Sequence, residues 1–154
     1  MFTIEAIGTV SNKRREIEDD NWGSVQSTIL VNDSFSEESL AGVETFSHLE
    51  VLFYFHKVKE EKIMKGARHP RNNPALPLVG IFAQRGKNRP NRLGLTTVKL
   101  ISRQGKCLVV EGLDCIDGTP IIDIKPVMKE FLPHGPVIQP EWSHDLMKEY
   151  WSKK

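Results

Sequence analysis

The chain has 154 residues, 39% of them apolar, and sets 21 Lys and Arg against 20 Asp and Glu for a net charge of +1. That suits one domain whose core needs no covalent or metal staples. No run approaches the roughly 18 apolar residues of a membrane helix, and Met1-Phe-Thr-Ile-Glu5 lacks the basic-then-apolar pattern of a secretory leader, so a soluble, cytoplasmic protein with no membrane partner is expected.

In residues 3–10, Ile4, Ala6 and Val10 share one face at a two-residue period, and residues 24–31 do the same with Val25, Ile29 and Val31. Both are predicted strands. The mixed-charge segment between them ends in Asp19-Asp20-Asn21-Trp22-Gly23, where the tryptophan is either a lid on the core or the aromatic wall of a ligand pocket. Ser34 and Glu37 form a capping box, Leu40 and Val43 are apolar and Gly42 is a stop, which predicts a short helix over 35–42. Residues 48–56 alternate with apolar side chains on both faces, the pattern of a central strand. Residues 57–77 lose periodicity and carry Gly66, Pro70, Pro74 and Pro77, a long connection of the kind that is usually functional.

Strands return at 78–83, 95–101 and 106–113, with Gln104-Gly105 as a hairpin turn, and Asp117-Gly118 leads into a strand at 121–124 closed by Pro126. Pro140 then starts a terminal helix with Trp142, Leu146 and Tyr150 on one stripe. Seven strand signals with little helix point to an antiparallel barrel or closed sandwich. Cys107 and Cys115 sit in apolar strand-like context and read as buried, reduced thiols.

The charge is unevenly spread. Between Lys65 and Arg103 stand nine Lys and Arg without one Asp or Glu, whereas residues 1–64 hold six basic against twelve acidic side chains and residues 104–154 six against eight. These positive charges alternate with Gly, Pro and Asn rather than helix formers, so an anion-binding surface competes with a plain solvated face. The loop at 84–94 hangs Arg85, Lys87, Arg89 and Arg92 from backbone shaped by Gly86, Pro90 and Gly94. Lys87, Arg89 and Arg92 are the candidates for holding a substrate. Arg85, immediately after a predicted strand, is best placed for rigid, two-pronged capture of a carboxylate or phosphate.

His56, at the end of the central strand beside Lys57, ranks first among the histidines. Asp114, Asp117 and Asp123 cluster around one hairpin and gain weight only when joined to Arg85 and His56. The dinucleotide-binding glycine pattern, the P-loop, H-E-x-x-H and paired C-x-x-C are all missing. Rossmann or P-loop nucleotide binding is therefore not expected, and neither is a metal site.

Taken together, Phe46-Ser-His48, Val51 through His56, Gly80-Ile-Phe-Ala-Gln-Arg85, Asn88-Arg-Pro-Asn91 with Leu93-Gly94-Leu95, and Leu113-Asp114 through Asp117-Gly-Thr-Pro120 to Asp123-Ile-Lys-Pro126 closely resemble the TsaA/TrmO-like family. The resemblance spans about residues 4–132. It implies an all-β fold, a small antiparallel β-barrel with a short helix and a C-terminal helix, divided into a barrel domain at 1–132 and a C-terminal extension at 133–154. It further implies an S-adenosylmethionine-dependent methyltransferase acting on threonylcarbamoyladenosine in the anticodon loop of tRNA, working as a homodimer with the cofactor pocket near the subunit interface.

Carried over by motif, that pocket takes His56, Lys57, Arg85, Gly94, Leu95, Asp117, Gly118, Thr119 and Pro120, with Trp22 from the loop before the second strand. No catalytic base is assigned; His56 or Asp117 could serve. Two departures stand out. Gly86 and Arg92 replace the serine and the second proline of the family loop, and the chain ends soon after the barrel where the tRNA enzymes carry a further C-terminal domain. A short form is therefore expected, which keeps two rivals open: a small-molecule methyltransferase of the same fold, and a non-catalytic RNA-binding barrel with Trp22 or Tyr54 as a stacking surface.

Overall fold

The computed structural model describes residues 1–153; Lys154, the last residue of the expected extension, lies outside them. In chain order the strands are β1 (Gly8–Ser11), β2 (Gln26–Val31), β3 (His48–Tyr54), β4 (Ala67–Arg68), β5 (Val79–Gly80), β6 (Leu93–Gln104), β7 (Cys107–Glu111) and β8 (Pro120–Pro126), followed by one helix, α1 (Glu141–Leu146). Six of the strands close an antiparallel barrel in the order β1-β2-β7-β6-β3-β8, and β4 with β5 forms a separate two-stranded ribbon. The barrel expected from the family resemblance is the observed fold.

Alternation builds the core. Leu49, Val51 and Phe53 of β3 point inward, as do Val98 of β6, Leu108 and Val110 of β7, Ile29 and Val31 of β2 and Ile121 of β8, all buried. Successive side chains of a strand face opposite sides, so each strand lends every second residue to the interior and the others to the outer wall. As expected of a central strand, β3 is hydrogen-bonded on both sides, to β6 through Tyr54↔Leu93 and to β8 through Leu52↔Asp123. Gly94 lies opposite Phe53, and a Cβ built there would stand 2.5 Å from the Phe53 ring. Only a glycine lets β6 pass that ring at this distance.

Several expectations need correction. The first strand begins at Gly8, leaving Ile4 and Ala6 exposed outside the sheet. The helix predicted over 35–42 is two 3-10 turns, Glu37–Leu40 and Val43–Thr45, with Ser36 rather than Ser34 at the first start and no side-chain cap. Gly42, at φ 88°, breaks the chain after one turn, before further hydrogen bonds could offset the cost of starting a helix.

The apolar run at 78–83 is not a barrel strand. Val79–Gly80 pairs only with the ribbon, Ile81–Ala83 is a 3-10 turn, and Leu78 and Phe82 are 62% and 79% exposed. Short apolar runs do not declare their partner by periodicity. The terminal helix stops at Leu146, so Tyr150 follows in a turn instead of on the stripe with Trp142 and Leu146. Both cysteines are free, with Cys115 buried and Cys107 half-buried. Among the described residues no helix is long and apolar enough to cross a membrane.

Antiparallel closure sorts the connections. Segments 12–25, 55–92 and 112–119, which join β1 to β2, β3 to β6 and β7 to β8, emerge at one rim, while 32–47, the hairpin at Gly105 and Lys106, and the exit from β8 occupy the other. Gly94→Ala should destabilise the fold by about 1–3 kcal/mol through overpacking, seen as a lower midpoint in urea unfolding with an unchanged slope. A midpoint equal to the parent's would mean that the Phe53 ring has room to move.

Candidate functional site

Every residue expected at the site lies in, or next to, one of the three connections that emerge at the first rim. Trp22 is in segment 12–25; His56, Lys57, Arg85, Lys87, Arg89 and Arg92 are in segment 55–92; Gly94 and Leu95 open β6; and Asp117, Gly118, Thr119 and Pro120 lead into β8. A Cβ on Gly118 would sit 3.8 Å from His56 Nε2, so the histidine and the Asp-Gly turn face each other. The turn is fixed by the neighbouring connection. The Asn12 amide donates to Asp117 Oδ1 at 3.0 Å, the Asp117 amide to the Arg14 carbonyl at 2.7 Å and the Gly118 amide to the Val10 carbonyl at 2.8 Å. The Asn12 side-chain amide spans Ser27 Oγ and the Cys115 carbonyl, each at 2.9 Å. Thr119, fully buried, bonds back to the Ile116 carbonyl and holds the same bend.

The expected residues divide sharply in what they are free to do. Trp22 is 2% exposed, with the Arg14 guanidinium 4.0 Å over its ring, which leaves it little surface for a ligand. Arg89 donates to the Gln84 carbonyl at 2.8 Å and Arg92 to the Tyr54 hydroxyl at 2.6 Å, so both brace the loop from inside. The Lys87 side chain makes no hydrogen bond or ion pair among the described residues, while its carbonyl accepts from the Arg89 amide at 2.9 Å. Arg85 is exposed and donates through one Nη to the Leu95 carbonyl, which fixes its fork and leaves its other donors outward. Lys57 Nζ reaches the Arg15 carbonyl at 3.3 Å. Burial first, then the charge of Lys57, lowers the pKa of His56, leaving the ring largely neutral at pH 7.

Nor is the basic island one continuous face. Arg71 pairs with Asp20 at 3.0 Å, and Arg103, far along β6, pairs with Glu44 at 3.3 Å near the opposite rim. A cavity of about 200 Å³ opens on the outer wall between Glu50, Leu52, Leu95, Asp123 and Lys125, touching the rim through Leu95. Among the described residues no three His, Cys, Asp or Glu side chains are placed to hold a metal.

Residues 16–131 match the family model described as the tRNA-methyltransferase O N-terminal domain. The chain belongs to that family. Within the TrmO family, the human protein named tRNA (adenine(37)-N6)-methyltransferase is 40% identical over 104 residues, 68% of this chain and 23% of the human one. A Pyrococcus abyssi protein named probable S-adenosyl-L-methionine-binding protein is 35% identical over 108 residues, 70% of this chain and 55% of that one. The crystal structure of a TrmO superposes with a TM-score of 0.73 at 26% identity, covering 90% of this chain and 63% of the other. TrmO from Pseudomonas aeruginosa gives 0.70 at 25% identity, covering 90% and 61%. The chain therefore spans about a quarter to just under two thirds of these relatives.

Three contributors to the TrmO-like rim are not singled out as site residues by sequence. Asn12 carries no motif of its own. Arg14 is lost in a mixed-charge segment. The tail after α1 folds back onto the rim: the Asn21 and Trp22 amides donate to the Glu149 and Tyr150 carbonyls at 3.0 and 2.8 Å. The Tyr150 hydroxyl donates to Asp114, which also accepts from Thr96. Burial and the Asp114 charge push the Tyr150 phenol far up, while the nearby Arg85 and Arg71 guanidiniums pull the other way.

Gly23 makes this docking possible, since a Cβ there would overlap the Trp151 carbonyl oxygen. Gly23→Ala should release the tail and expose Trp22, read as a red shift in tryptophan emission and faster proteolysis near residue 148; an unchanged spectrum would mean that the loop shifts to accept it. His56 should titrate below the ordinary histidine value near 6.5 in an NMR titration, and Lys57→Ala should move it upward. Because its folded pKa is depressed, the stability tied to His56 is present above its unfolded value and is lost as pH falls through the folded one. A His56 pKa at or above the ordinary value would remove this account.

Proposed function

We propose that this chain is an S-adenosylmethionine-dependent methyltransferase that modifies adenosine 37 in the anticodon loop of tRNA, with threonylcarbamoyladenosine as acceptor, and that it works as a homodimer. The reading is supported by His56 facing the Asp117-Gly118 turn and by Arg85 bonding to the Leu95 carbonyl beside Gly94, in a chain whose family relatives bear the names of tRNA adenine methyltransferases and S-adenosylmethionine-binding proteins.

The rim's residues fit such a donor. Arg85 has outward donors for a carboxylate. Asp117 keeps one carboxylate oxygen beyond its bond from Asn12, able to accept from a hydroxyl or amino group. Leu52 and Leu95 offer apolar wall for a base. A sulfonium donor supplies an already activated methyl group, so the protein's work is to grip, aim and exclude water. His56, largely neutral at pH 7, can take the proton that the acceptor nitrogen sheds as its new bond to carbon forms. The cavity beside Leu95 is shallow, and a second copy seated on the β3-β6-β8 wall would roof it and keep water out.

The test joins calorimetry with methyl transfer. Wild-type protein should bind S-adenosylmethionine, sediment as a dimer, and label total tRNA at position 37 as read by nuclease digestion and mass spectrometry. Arg85→Ala should lose about 10- to 100-fold in donor affinity, the worth of a charged hydrogen-bonded contact. Full donor affinity and turnover in that variant would remove Arg85 from the site. Labelling of a small acceptor but not of tRNA would favour the small-molecule reading, and RNA binding without donor binding the non-catalytic one.

A further inference from the structure

Phe82 is a large aromatic side chain with no evident role in folding. It is 79% exposed, at the centre of the 3-10 turn Ile81–Ala83, while its neighbour Ile81 is buried and anchors the turn. The backbone that carries it is strapped down. The Ile81 amide donates to the Gly66 carbonyl at 2.9 Å, and the Gln84 side-chain amide bridges the Arg68 and Val79 carbonyls, each at 3.0 Å. An exposed phenylalanine on a mobile loop could fold over itself; this one is held out.

Its surroundings are open and positive. A Cβ built on Gly80 or Gly86 meets nothing within 4 Å, so the surface on either side of the turn is unobstructed. The Gly66 bond draws Lys65 alongside, and the Met64 amide, donating to the Asn88 carbonyl at 3.0 Å, draws the same strand of chain against Lys87. Arg85 follows three residues on. No Asp or Glu occurs anywhere from residue 65 to 103. A π face that costs nothing to present, carried on a stretch of chain rich in cations, suits an unpaired nucleobase between two phosphates: base stacking supplies sequence-tolerant affinity and the cations supply the salt-dependent part.

We propose that Phe82 is the stacking platform for one unpaired base of the RNA loop that this chain modifies, with Lys65 and Lys87 taking the flanking phosphates. The proposal rests on the tRNA reading above and goes beyond it by naming the residue that grips the loop. Phe82 is a positioning residue: it holds RNA and takes no part in the methyl transfer.

The experiment uses the full chain and a fluorescent anticodon stem-loop RNA, with Phe82→Ala, Phe82→Leu, Phe82→Trp and Lys87→Ala. Phe82→Ala and Phe82→Leu should weaken RNA binding about 5- to 100-fold, because leucine keeps the bulk and loses the π face, while Phe82→Trp should bind at least as well as wild type. Donor affinity and the sedimentation coefficient should stay at the wild-type values in all three. Lys87→Ala should lower the slope of log affinity against log salt by about 1, whereas Phe82→Ala should leave it unchanged. With tRNA as substrate, Phe82→Ala should raise KM and leave kcat within about two-fold, as expected when ground-state and transition-state binding fall together.

Leucine binding as well as phenylalanine would overturn the proposal, and so would an affinity loss that follows a change in sedimentation, which would make Phe82 an interface residue. Wild-type protein that methylates tRNA with no dependence on Phe82 sinks this inference alone. Phe82-dependent RNA binding without any methyl transfer supports it and sinks the methyltransferase reading instead.

Discussion

An antiparallel sheet can close on itself only with an even number of strands, and that parity governs this molecule. With six strands in the order β1-β2-β7-β6-β3-β8, each running against both neighbours, chain reversals must alternate between the two ends of the barrel. Three connections far apart in sequence are thereby forced onto one rim. The longest of them, residues 55–92, carries the ribbon β4-β5 and most of the positive side chains discussed above. The site's composition follows from topology before any particular side chain matters.

Packing then turns a rim into a surface of fixed shape. Phe53 fills the barrel beneath Gly94 and holds the start of β6 at its distance. Asn12 donates to Asp117, to the Cys115 carbonyl and to Ser27 of β2, which ties the Asp117 turn to the first connection and to the barrel wall. Arg89 and Arg92, which look from sequence like ligand-binding cations, work as internal struts, each with one Nη donating to Gln84 or Tyr54. A guanidinium that satisfies loop carbonyls contributes rigidity, and the neighbours it stiffens, Arg85 and Phe82, are the ones left facing outward.

Most of the barrel was legible from alternation alone: β2, β3, β6, β7 and β8 each announce an inward face at a two-residue period, and the turns at Gly105 and Gly118 carry their glycines. The run at 78–83 misleads because five apolar residues around a glycine look the same whether they line a core or crown a loop; only the Gly66 and Gln84 hydrogen bonds decide. The 35–42 segment has a helix's start and stop signals set too close together to hold a helix between them. The positions of His56, Arg85 and Asp117 were readable through ordered family motifs. Their supports were not, because Asn12, Arg14 and Tyr150 act through contacts that link residues a few to more than a hundred positions apart, and such contacts leave no local pattern.

The barrel is sewn shut unevenly. Between β1 and β8 the ladder consists of Gly8↔Ile121 and Thr9↔Pro120, joining parts of the chain more than a hundred residues apart, whereas β3 and β6 are matched over seven pairs. The Asn12–Asp117 and Val10–Gly118 bonds that shape the rim straddle this short seam. A half-zipped barrel thus has no rim site at all, so any molecule that settles against the Asp117 turn must also tighten the weakest stitch in the fold.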